Sequence, residues 1–100
     1  MKRFECEGYV IWVGQNKREN WELLDESEET DVLFHLESFP SCYVLLKNKE
    51  PIFSHSVKKY CAELCKRYTK YKRLPSVYVE FTFCKNAIKG DEVGELIYLS

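Results

Sequence analysis

Gly8-Tyr9-Val10-Ile11-Trp12-Val13-Gly14-Gln15-Asn16, followed by Glu19-Asn20-Trp21-Glu22-Leu23-Leu24, decides how this chain folds. Val10 to Val13 are strand formers, and Gly14 ends the run where the backbone must turn freely. Asn16 is placed to cap a helix. Glu19 stands three residues on, the capping-box spacing at which each side chain bonds an orphan N–H of the other. Strand, tight turn and a short helix near 16 to 24 follow. Upstream, Phe4 to Cys6 makes a first short strand, with Glu7-Gly8 turning it into the second.

Outward from that stretch the alternation continues. Asp31 to Leu36 reads as a strand, with Val32, Phe34 and Leu36 on one face and Asp31, Leu33 and His35 on the other. Pro40-Ser41 makes a turn. From Cys42 to Lys47, Cys42, Val44 and Leu46 share one face, and Tyr43, Leu45 and Lys47 the other. The main helix spans about 55 to 72, capped by Ser54 or Ser56. Its apolar stripe is Val57, Tyr60, Cys61, Leu64, Cys65 and Tyr68, at helical spacing. Val77 to Cys84 is the clearest strand, Lys85 to Asp91 a turn, and Val93 to Leu99 the last strand. The expected fold is α+β: a single domain over 1–100, with a largely antiparallel sheet of about five to six strands, one main amphipathic helix and one short helix.

One hundred residues suffice for a core without disulfides or metal, and 15% aromatics suit a packed sheet. The formal net charge of −1 says nothing about partners, so its distribution matters. Residues 19 to 37 hold eight acids and no Lys or Arg. The loop 25–30 within them is a solvated tip or a docking point for a basic protein partner. From Lys58 to Arg73, seven Lys or Arg face Glu63 alone. Five cysteines, an odd number without a Cys-x-x-Cys, read as free thiols of a reducing compartment. The longest apolar run, Tyr9 to Val13, is too short to span a bilayer. Met1-Lys2-Arg3-Phe4-Glu5 carries no leader pattern. The expectation is an intracellular protein, cytoplasmic or nuclear, with no membrane partner.

Gly14-x-Asn16-x-x-x-Asn20-x-x-Leu23, Asp31-x-x-Phe34-His35, Cys61-Ala62-x-Leu64-x-Lys66, Val77-x-Val79-x-Phe81-Thr82 and Val93-Gly94-x-Leu96 fall in an order that resembles the NFACT-R domain over nearly the whole chain. That family includes the C-terminal domain of the ribosome-quality-control NFACT proteins. It also includes shorter proteins with the domain at or near the N-terminus, such as a eukaryotic coiled-coil-containing group. The resemblance implies a stand-alone RNA-binding module, with tRNA or ribosomal RNA as partner, linked to translation or ribosome quality control. DNA, associated with the shorter group, is the alternative nucleic acid. Gly14, Asn16, Asn20, Asp31 and Gly94 are the motif positions. Four positions depart from the family: Gln15 for Arg, Leu33 for an aromatic, Ser41 for Gly and Tyr43 for His. The last removes the most reactive group and argues against catalysis. The other classes are an RNA-modification component and a protein-interaction adaptor without nucleic acid.

The candidate nucleic-acid-binding residues are Lys58, Lys59, Lys66, Arg67 and Lys70 on the main helix, with Lys17 and Arg18 expected nearby. Cations on one face contact phosphates and release counterions. Tyr43, Tyr68 and Tyr71 offer rings for stacking on bases, and His35 a polar rim. On a strand Asp31 and His35 stand about 13 Å apart, too far for a carboxylate–histidine pair. No catalytic residue and no cofactor is assigned. Cys61 and Cys65 with His55 or His35 lack the paired spacing of a zinc site, and no metal is expected.

Overall fold

Successive side chains point to opposite faces of the sheet, and along Val32–Leu36 and Tyr43–Leu46 both faces are largely buried. The structure, a computed structural model, describes residues 1–37, 42–48, 50, 53–69, 73, 78–91 and 96–98. β1 (Lys2–Cys6) and β2 (Tyr9–Gly14) form a hairpin closed by Glu7-Gly8, both at positive φ (+51° and +83°), the backbone of a two-residue type I′ turn. α1 (Lys17–Asp25) follows, then β3 (Val32–Leu36), β4 (Tyr43–Leu46), α2 (His55–Arg67) and β5 (Val79–Phe83). The five strands run antiparallel in the order β1-β2-β4-β3-β5. After a 3-10 turn at Cys84–Asn86, β6 (Ala87–Lys89) pairs with β7 (Leu96–Tyr98) in a separate two-stranded ribbon. The chain is one α+β domain.

α2 lies on one face of the sheet. Its buried side, Val57, Cys61, Leu64 and Cys65, meets Ile11, Val13, Phe34, Val44 and Leu46. Fully burying a Val or Leu there is worth about 1.5–3 kcal/mol each. Ser54 caps the helix by accepting from Val57 N at 3.2 Å. Glu7, at the turn of the first hairpin, accepts from the hydroxyls of Ser54 and Ser56, so a carboxylate sits at the positive end of the helix. α1 lies on the opposite face, where Leu23 packs with Leu33 and Leu45, and Trp12 and Tyr43 close the cluster.

Three expectations change, and the strand order adds a fourth point. The main helix ends at Arg67, with Tyr68 as its cap. The segment read as a turn over 85–91 contains a 3-10 turn and β6. The last strand pairs with β6 rather than joining the main sheet. β5 is an edge strand, so its inward side is only half covered: Phe81 is 40% exposed. Val77, Pro75 and the turn at Pro40-Ser41 lie outside the described residues.

Candidate functional site

The motif Gly14-x-Asn16-x-x-x-Asn20 is an interlock between α1 and the sheet. Asn16 Oδ1 accepts from Glu19 N at 2.9 Å and caps α1. Glu19 turns its carboxylate back one residue further than a capping box requires, onto Gln15 N at 2.9 Å. Its other oxygen holds the terminal ammonium of Met1 at 2.8 Å. That ammonium, then the Gln15 N–H, keep the Glu19 carboxyl below the usual carboxylate range. Asn20 is buried, and its Oδ1 accepts from Tyr43 N at 3.2 Å, tying α1 to the start of β4. Gly14 makes this approach feasible, because a Cβ there would stand 2.6 Å from Asn20 Oδ1. Tyr43 thus has a fixed backbone, and its half-buried ring lies edge-on to His35 at 6.0 Å.

Asp31 and His35 sit at opposite ends of β3. Asp31 is 1% exposed and accepts from Lys47 Nζ, Asn48 N (2.8 Å) and Glu28 N (2.8 Å). It anchors the acidic loop to the end of β4, a structural use of a buried charge that is both paired and hydrogen-bonded. His35 is partly buried, with Nδ1 3.2 Å from Leu36 O and Nε2 3.7 Å from Glu80 Oε2.

The basic residues divide between two layers. Lys58, Lys59 and Arg67 are exposed on α2, and Lys66 is half-exposed. Among the described residues none of these four is in an ion pair. Arg3, Lys47 and Lys89, on other elements, are paired with Glu5, Asp31 and Asp25. Lys59 and Lys66 lie on the side of α2 turned from the sheet, and Lys58 and Arg67 fall on opposite flanks. Lys17 and Arg18 begin α1, on the other face of the sheet. They are therefore not near the α2 cations, contrary to expectation, because the sheet stands between the two helices. His35 and Tyr43 share the α1 face as well. Tyr68 does not offer a free ring, since it packs on Phe4 at 5.9 Å. Lys70, Tyr71 and Gly94 lie outside the described residues.

A group at the flank of α2 was not singled out from the sequence. Lys58 Nζ stands 4.6 Å from the centroid of the Phe81 ring, and Lys85 Nζ 6.0 Å from that of Phe83. Phe81 is backed by Phe34 and by the edge of Phe53, each 5.7 Å away between centroids. The one sequence signal was the alternation Val79-x-Phe81-x-Phe83. Placing that strand at an edge, beside Lys58, needed the strand order.

The thiols face the core. Burial pushes Cys61 up to about 12 and Cys84 to about 11, and raises Cys65 well above the ordinary thiol value. Hydrogen bonding with the Cys65 thiol lowers Cys42, whose Sγ also donates to Cys65 O at 3.5 Å. Among the described residues no three His, Cys, Asp or Glu side chains converge as a metal ion requires. His35 is across the sheet from Cys61 and Cys65. Two clefts, of about 430 and 500 Å³, flank Lys47, whose amine is already held by Asp31. Among the described residues no helix is long and apolar enough to cross a membrane.

No protein-family model and no curated protein sequence matches the chain. A solved structure does. The chain is similar to the C-terminal part of the fibronectin/fibrinogen-binding protein from Streptococcus suis, with 25% identity over 98% of this chain and a TM-score of 0.85. The chain spans 41% of the length of that structure, so the likeness covers one portion of it.

Proposed function

We propose that the chain is an NFACT-R-like module that binds RNA, tRNA or ribosome-associated, through the outer side of α2, in a role tied to translation or ribosome quality control. The observation that supports it is the state of the α2 cations. Lys58, Lys59, Lys66 and Arg67 stand together on α2 and are held in no ion pair among the described residues; Lys2, Lys17, Arg18 and Lys85 are in no ion pair there either, so the grouping of the α2 cations along one helix is what carries the reading. Unpaired cations along one helix can take phosphates without first breaking internal salt bridges, and each contact releases counterions. The motif positions Gly14, Asn16, Asn20 and Asp31 are consumed by structural hydrogen bonds and close packing. The reading is therefore binding, not catalysis. DNA is the alternative ligand of the same cations.

A second reading draws on the solved neighbour, a portion of a protein that binds fibronectin or fibrinogen. Here the chain is a protein-docking module. The exposed cross-strand pair Ile88 and Ile97 on the β6–β7 ribbon gives it an apolar contact, and the acidic loop a polar one.

Fluorescence anisotropy with labelled tRNA, single-stranded RNA and duplex DNA at two salt concentrations separates the two. Salt-sensitive binding that is lost in Lys59→Glu/Lys66→Glu supports the first reading. Binding unchanged in that variant puts the nucleic acid elsewhere. No binding at low salt removes the nucleic-acid reading for this chain and leaves the protein-docking one.

A further inference from the structure

On the basis of the nucleic-acid reading above, we infer that the flank where α2 meets β5 seats an unpaired nucleobase, stacked on Phe81, with Lys58 and Lys59 on the adjoining phosphates. Sheet order accounts for the opening. α2 packs over β2, β4 and β3, and β5 is the edge beyond them. On β5 the residues facing the α2 side are Val79, Phe81 and Phe83, in register with Leu36, Phe34 and Val32. Phe81 is therefore left 40% exposed although it stands on the core-facing side.

Its position is nonetheless fixed. Phe34, itself 1% exposed, and Phe53 brace the ring at 5.7 Å each, and Phe53 is in turn edge-on to Phe34 at 6.3 Å. An aromatic held rigidly at the surface presents a π face at little entropic cost, as base-stacking platforms require. The Lys58 ammonium now occupies the space over that ring. A nucleotide brings both a π face and an anion. The base can take the ring while the ammonium moves the short distance to the phosphate, exchanging a cation–π contact for a charge-assisted hydrogen bond. Lys85, over Phe83, flanks the same place, and Lys59 lies one residue on along α2, on its outward side. In a duplex both faces of each base are already stacked, so the seat selects unpaired nucleotides. It is tolerant of sequence because every base has a π face.

The test uses the full chain and two labelled probes, an unstructured uridine-rich RNA of about ten nucleotides and an RNA duplex of about the same length. Anisotropy is read for the parent, Phe81→Leu, Phe81→Tyr and Lys59→Glu/Lys66→Glu, each checked for folding by circular dichroism. Phe81→Leu keeps the apolar volume and loses the π face. It is expected to weaken single-strand binding by about 5- to 100-fold and to leave duplex binding within about twofold. Phe81→Tyr is expected to retain both. If Phe81→Leu binds both probes as the parent does while the double lysine variant loses both, the stacking seat is refuted and the phosphate-binding helix stands. Duplex binding by a parent that ignores the single strand refutes the seat in the same way. A parent that binds neither probe at low salt removes both readings.

Discussion

Gly14 shows how little room one atom can have. A methyl group there would meet Asn20 Oδ1 at 2.6 Å and Asn20 N at 3.1 Å; the side-chain oxygen yields only by giving up its bond from Tyr43 N, and the backbone nitrogen only by shifting α1. Gly14→Ala is expected to cost about 1–3 kcal/mol in urea unfolding with an unchanged m value. Asn20→Ala, which leaves the Tyr43 N–H without its side-chain acceptor, is expected to cost about 1–3 kcal/mol. Because the two residues share one contact, the double variant should cost less than the sum. Full additivity would mean that the interlock does not act as a unit. Asp31 is a separate case, a buried carboxylate on which Lys47 and two backbone N–H groups depend. Asp31→Ala is expected to cost about 3 kcal/mol, and Lys47→Ala less, because the carboxylate left behind still holds both backbone N–H donors, whereas Asp31→Ala strands those two N–H groups and the lysine together. Equal costs in thermal or urea unfolding would contradict this ordering.

Each helix carries its own pH signature, and that of α2 comes from thiols. Cys61 and Cys65 fill its buried stripe, with Cys61 raised to about 12 and Cys65 well above the ordinary thiol value by burial. Unfolded cysteines titrate near about 8.5. Above that pH the unfolded chain sheds protons that the folded chain keeps. Stability fully present below about pH 8.5 therefore falls as pH rises toward the folded values, by about 1.4 kcal/mol per unit for each thiol. Urea midpoints between about pH 8 and 10 should show this slope, and Cys61→Ala should reduce it by one thiol's share. An identical slope in the variant would mean that Cys61 does not stay protonated. The elements themselves were largely legible in the sequence, because their signals are local: Asn16 as a cap, Ser54 as one of two candidate caps, Glu7-Gly8 as a hairpin turn, short apolar runs in β3 and β4. β6 was not legible. It is three residues long, with a lysine at its end, and only its pairing with β7 makes it a strand.

At the scale of the whole molecule, the net charge of the helices is sorted by layer, although α1 carries Lys17 and Arg18 beside its acids. The α2 cations stand on one side of the sheet, and the acids of α1, Glu22, Asp25 and Glu26 among them, on the other. If α2 meets nucleic acid, the slope of log affinity against log salt should flatten by about 0.7–0.9 for each of Lys59 and Lys66 replaced by Gln. Lys17→Gln and Arg18→Gln on the far face should leave the slope unchanged, and an equal effect from both pairs would count against α2 as the docking face. This partition was hidden from the sequence, which shows that Lys17 and Lys58 belong to helices but not which side of the sheet each helix takes. Phe81 was hidden for the same reason, since a strand's alternation does not reveal whether it is central or at an edge. The strand order also has a consequence in time. β1 and β2 zip across a two-residue turn, whereas β5 must return over more than forty residues of chain to find β3, pairing Phe83 with Val32. The backbone of β5, at the flank of α2, is therefore expected to pair late in folding, and its amides should exchange with deuterium sooner than those of β2 and β4. Whatever settles there acts as a latch, and its arrival should be visible as slowed exchange along β5 before any change elsewhere in the sheet.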